Sequence, residues 1–140
     1  MSLYCVMKLT RRCMLAAILV PFVGYGAIDN ASAAPSIAGK WRGGGTVNLK
    51  SGGKESVRCS VTYGRSGGQN FSVRARCASG AGRVDQTGTL RRVSDTRYVG
   101  TVRNVQYSVT ARVTVNVNGS NQNVSISSSK GTAYLSLARR

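Results

Sequence analysis

Tyr107-Ser108-Val109-Thr110-Ala111-Arg112-Val113-Thr114-Val115-Asn116-Val117-Asn118-Gly119 decides the fold. Tyr107, Val109, Ala111, Val113, Val115 and Val117 make one apolar row, while Ser108, Thr110, Arg112, Thr114 and Asn116 face the other way. Successive strand side chains point to opposite faces, so a period of two held over this length is a strand with one buried side. Asn118-Gly119 closes it with a strong short-range hairpin signal.

The same alternation recurs upstream. Val57, Cys59, Val61 and Tyr63 share a face, with Ser56, Arg58, Ser60 and Thr62 opposite. Phe71, Val73, Ala75 and Cys77 repeat it, opposed by Ser72, Arg74 and Arg76. Ser51-Gly52-Gly53, Ser66-Gly67-Gly68, Ser79-Gly80-Ala81-Gly82 and Ser94-Asp95 supply turn chemistry between the runs. No proline follows Pro35, as ladders of backbone donors require. The pattern predicts an all-β chain of about eight strands, over 40–50, 55–64, 69–78, 83–92, 97–105, 107–117, 122–129 and 132–139.

Short connections imply sequential antiparallel pairing, an up-and-down meander, and closure into a barrel removes the exposed edges. A two-sheet sandwich is the alternative. A membrane-spanning barrel would turn its apolar face to lipid, leaving polar residues inside. Here the face opposite the apolar one carries Arg58, Arg74, Arg76 and Arg112, which would be costly against lipid, so the apolar face is expected to point inward and the barrel to be water-soluble.

Residues 1–33 read as a bacterial secretory leader. Lys8, Arg11 and Arg12 make a basic start, residues 13–27 are almost wholly apolar, and Ala31-Ser32-Ala33 is a small-x-small cleavage site. The apolar run is shorter than the roughly 20 residues that a spanning helix needs. Residues 34–140 are then one domain, periplasmic or secreted. A Sec signal is expected, with Thr10–Leu15 a loose match to the twin-arginine pattern.

The formal charge of the full chain is +16, and without Lys8, Arg11, Arg12 and Asp29 of the leader it is about +14. Such a chain is drawn to polyanions. After export, lipopolysaccharide, anionic lipid or acidic polysaccharide is the expected partner rather than nucleic acid. The candidate anion-binding residues are Arg58, Arg74, Arg76, Arg83, Arg91, Arg92, Arg103 and Arg112. Arginine suits bidentate contacts with phosphate and carboxylate.

Cys59 and Cys77 remain after leader removal, and an even count in a small exported domain reads as one structural disulfide. Their places on the apolar faces of adjacent strands make it internal and cross-strand. With no histidine in the chain and three acids after the leader, a closed zinc shell cannot be assembled. No metal or other cofactor is expected.

Gly39-Lys40-Trp41 opens the first strand and Arg139-Arg140 closes the last. This resembles the lipocalin-like (calycin) arrangement, in which a Gly-x-Trp on the first strand packs against a late basic residue. The resemblance implies that Gly39, Trp41 and Arg139 pack together at one barrel end, with Arg139 over the indole. The order Gly39, Trp41, Cys59, Cys77 also resembles the periplasmic metalloproteinase-inhibitor family. That likeness implies inhibition through an extended N-terminal segment, although only Ala34–Ala38 precede Gly39 here. Val57-Arg58-Cys59 with Ala75-Arg76-Cys77-Ala78 is similar to exported alphaproteobacterial proteins and implies no activity.

General acid–base chemistry draws on histidine or paired carboxylates, and this chain offers neither. Ser127-Ser128-Ser129-Lys130 matches Ser-x-x-Lys, but that chemistry belongs to large domains with the serine on a helix. Gly43-Gly44-Gly45 precedes no helix, so it marks a bulge or bend in the first strand rather than a phosphate cradle. The expectation is a non-catalytic binding protein of the cell envelope that engages an anionic partner through its outer face. The alternatives are a periplasmic protease inhibitor and a carrier of a small apolar ligand in the lumen.

Overall fold

The computed structural model describes residues 36–140; the leader and its cleavage site after Ala33 lie outside the described residues. Eight strands follow in order: β1 (Gly39–Leu49), β2 (Lys54–Gly67), β3 (Asn70–Ser79), β4 (Gly82–Arg92), β5 (Arg97–Asn104), β6 (Val109–Asn118), β7 (Asn121–Ser128) and β8 (Gly131–Arg139). Each pairs antiparallel with the next, and β8 returns to β1 to close the barrel. This is an up-and-down barrel of the lipocalin-like kind, and the single closed sheet replaces the sandwich alternative. Every strand donates and accepts on both sides, so no edge is left open.

Tyr107 departs from its expected inward place. It does not begin β6 but lies 61% exposed in the β5–β6 turn. The Asn104 side-chain oxygen accepts the backbone N–H groups of Gln106 (2.9 Å) and Tyr107 (3.3 Å). This Asx-type capture ends β5 early. Ser108 then takes a left-handed backbone, φ 51°, and the ladder resumes only at Val109.

Closure is built on glycine. A Cβ on Gly43 or Gly45 would collide with the carbonyl oxygens of Ser136 and Tyr134 on β8. Pairing of β1 with both neighbours stays continuous through Gly43–Gly45, so the segment bends without a bulge. Gly88 on β4 and Gly100 on β5 make the same close approach to each other's strand. These missing side chains let the sheet coil sharply enough to close.

One end of the barrel is filled. Ile37, Trp41 and Tyr98 are wholly buried, Leu90 nearly so, and Phe71 meets Tyr98 edge-on at 5.3 Å between ring centroids. Cys59 and Cys77 sit directly opposite each other on β2 and β3, with Cα atoms 4.1 Å apart, and form the disulfide.

Candidate functional site

The inward rows change character along the barrel axis. Toward the filled end they carry Trp41, Tyr63, Phe71, Leu90 and Tyr98; toward the other they carry Val47, Val57, Val84, Val102, Ala111 and Ala133. Valine and alanine are too short to meet across an eight-stranded barrel, whose interior is just wide enough for side chains or one small ligand. The result is a cavity of about 530 Å³, walled mainly by apolar side chains. It opens among the turns β1–β2, β3–β4, β5–β6 and β7–β8, with Leu49, Ser79, Tyr107 and Lys130 at the mouth.

Polar groups enter this space at two depths. Near the mouth, the Ser79 hydroxyl donates to the Glu55 carboxylate at 3.2 Å. Lys130 stands at the same rim, and Lys50 and Lys54 lie in or beside the adjoining β1–β2 turn. Deeper, Gln86 borders both the cavity and a small void of about 20 Å³ beneath it, so its amide marks the floor. Cys59 and Cys77 line the wall, which makes the disulfide part of the cavity's frame.

Arg139 closes the filled end from outside. Its guanidinium lies 4.4 Å from the Trp41 ring centroid and donates to the carbonyls of Ala38 (2.8 Å) and Ser36 (2.6 Å). The Trp41 indole N–H donates to the Ile37 carbonyl at 2.8 Å. Gly39 belongs to the same cluster, because a Cβ there would press on the Arg139 guanidinium. Ser36–Ala38 is therefore bound down across the barrel end, not extended from it. Beside this plug, the Gln122 amide donates to the Tyr63 hydroxyl at 3.2 Å. Burial pushes the Tyr63 pKa well above the usual tyrosine value, and the Gln122 hydrogen bond offsets part of that rise.

The eight candidate arginines fall into three settings. Arg58, Arg74, Arg76, Arg83, Arg91 and Arg103 point outward from β2–β5. Arg92 instead folds back onto the β4–β5 turn, donating to the Ser94 and Asp95 carbonyls at 3.1 and 3.2 Å. Arg112 lies on the outer face of β6, opposite Thr101 and diagonal to Arg103 of β5. Arg76 is ion-paired with Asp85 at 2.8 Å, and that hydrogen bond and charge raise its pKa further. Among the described residues no group of three or more cysteine, aspartate or glutamate side chains could hold a metal ion.

No family model matches the chain, and no curated protein matches it. Solved structures do. A redesigned β-barrel, mFAP1, bound to DFHBI, superposes with a TM-score of 0.63 at 13% identity, over 77% of this chain and 98% of that one. A de novo designed fluorescence-activating β-barrel gives 0.60 at 18% identity, over 77% and 97%. At these identities the likeness is one of fold. The likeness to the metalloproteinase-inhibitor family rests on Gly39, Trp41, Cys59 and Cys77 alone.

The arginines were legible from alternation, and the cavity only as one of two outcomes, an open lumen or a filled one. Its signal lay in side-chain size: Gln86 on β4, and Ala111 and Ala133 on β6 and β8, are short or polar at inward positions that line it.

Proposed function

We propose that the protein is a non-catalytic carrier, working in the periplasm or secreted, that holds one small, mainly apolar molecule in the open half of its barrel. The observation that carries this reading is the apolar cavity of about 530 Å³, closed at one end by the Trp41 plug. Its volume lies within the range of about 300–1,000 Å³ usual for small-molecule sites. Apolar walls supply the affinity by removing ligand surface from water, and Gln86, Glu55 and Lys130 orient the ligand's few polar atoms. The basic leader and the Cys59–Cys77 disulfide support the assignment to an oxidising compartment.

The test is saturable binding of the apolar dye N-phenyl-1-naphthylamine, read by fluorescence. One site per protein is expected in the unmodified chain. Ala111→Trp fills the cavity from β6 and should abolish binding while the far-ultraviolet circular dichroism stays unchanged. Undiminished dye binding in that variant would overturn the lumenal site.

A further inference from the structure

We propose that the outer wall of β1–β4 carries a second binding site, independent of the lumen, for a linear acidic polysaccharide. The outward strand positions of β1–β5 include Lys40, Arg42, Arg58, Arg74, Arg83 and Arg103, and their sole acid is Asp85. The outward strand positions of β6 and β7 carry one charge, Arg112, and are otherwise serine, threonine and asparagine. Charge on this barrel is therefore gathered on one side.

Within the basic side there is a groove. Gly44 projects no side chain, Ser60 and Ala78 project short ones, and Arg42, Arg58, Arg76 and Arg83 rim the recess. Strand register fixes this arrangement. Arg42, Ser60 and Arg76 lie in one cross-strand row, and Gly44, Arg58, Ala78 and Arg83 in the next. From β1 to β4 is three strand spacings, or roughly 14 Å. The guanidinium groups thus flank a trough long enough for a few sugar units.

The shape and chemistry of the groove select this partner. A flat anionic membrane meets a protruding, apolar-tipped surface best, whereas this site is recessed. Of the exposed large apolar residues, Val93, Val105 and Tyr107 lie elsewhere, and Tyr134, on β8 opposite Thr46, stands beside the groove without lining it. None of the outward strand positions of β1–β5 is aromatic, and the single exposed ring beside the groove, Tyr134 on β8, falls short of the succession of rings on which nucleic-acid bases stack. Arginine forks match carboxylate and sulfate oxygens, and several engaged together give the avidity that a repeating polyanion rewards.

The experiment measures binding of polygalacturonate to the protein by titration calorimetry at two salt concentrations. Arg42→Glu, Arg58→Glu and Arg83→Glu together should weaken binding by more than about tenfold at low salt. The control triple Arg91→Glu, Arg97→Glu and Arg112→Glu changes net charge equally and should cost less than about threefold if the groove is the site. Asp85→Asn frees Arg76 from its ion pair and should tighten binding. An unchanged far-ultraviolet circular dichroism spectrum shows that each variant is folded. Equal losses in both triples, or no loss in either, would overturn the groove. So would tighter binding to single-stranded DNA or to phosphatidylglycerol vesicles than to polygalacturonate.

Discussion

The Arg139 guanidinium stacks over the Trp41 indole at 4.4 Å while its two amino groups hold the carbonyls of Ala38 and Ser36. One side chain from the last strand thus fixes the segment before the first strand and covers the plug that closes the barrel. A cation over an indole face at an exposed site contributes about 0.5–1 kcal/mol, and charge-assisted hydrogen bonds add to it. Arg139→Ala should lower unfolding free energy by about 1–2 kcal/mol. Arg139→Lys should recover only part, because an ammonium cannot span both carbonyls in the same fork. Urea titration followed by the fluorescence of Trp41, the sole tryptophan, measures both.

The Cys59–Cys77 bond closes a loop of 18 residues between directly opposed positions. In the chain-entropy model such a link stabilises by about 3 kcal/mol, by restricting the unfolded chain. Cys59→Ser with Cys77→Ser should lower the denaturation midpoint by a corresponding amount, and reductant should have no further effect on the double variant. A reductant-insensitive midpoint in the unmodified protein would contradict this.

How much of this was readable in advance depends on what encodes each feature. Alternation encodes strands locally, so β2, β3 and β6 were found within a few residues from Val57, Phe71 and Val113. Tyr107 misled because its neighbours keep the period; only the Asn104 side chain, capturing two backbone N–H groups, breaks the strand there. The Gly43–Gly45 bend was visible as composition, yet its cause lies on β8, more than eighty residues away in the chain. Whether the lumen is open or filled stayed undecided for a similar reason. A cavity is set by summed side-chain volumes across eight strands, and no single segment carries that sum.

Gly45 illustrates what closure demands of the backbone. A Cβ there would strike the Tyr134 carbonyl oxygen, which the β-ladder cannot easily move aside. Gly45→Ala should therefore cost about 1–3 kcal/mol through forced backbone displacement. Gly80→Ala is the matched control, since nothing lies within 4 Å of the place its methyl group would take. It should be neutral or slightly stabilising through reduced freedom of the unfolded chain. Comparable thermal midpoints for the two variants would show that the Gly45 approach is not a constraint.

The Tyr63 hydroxyl gives the fold a defined alkaline limit. Burial raises its pKa in the folded state above the ordinary tyrosine value of 10.0. The unfolded chain loses this proton at about pH 10 while the folded chain keeps it, so above that pH the unfolded state binds fewer protons. Stability is then full below about pH 10 and falls as pH rises beyond it, by about 1.4 kcal/mol per pH unit for one group. Tyr63→Phe removes the titration but deprives the Gln122 amide of its partner, and the Gln122 oxygen has no partner among the described residues. That variant should be weaker at neutral pH by about 1–3 kcal/mol. Tyr63→Phe combined with Gln122→Leu leaves no orphaned polar atom and should recover much of the loss. In both variants stability should decline less steeply between pH 10 and 11 than in the unmodified protein. Urea denaturation across that interval decides the matter: parallel declines in all three proteins would show that Tyr63 ionises as readily in the fold as in the open chain.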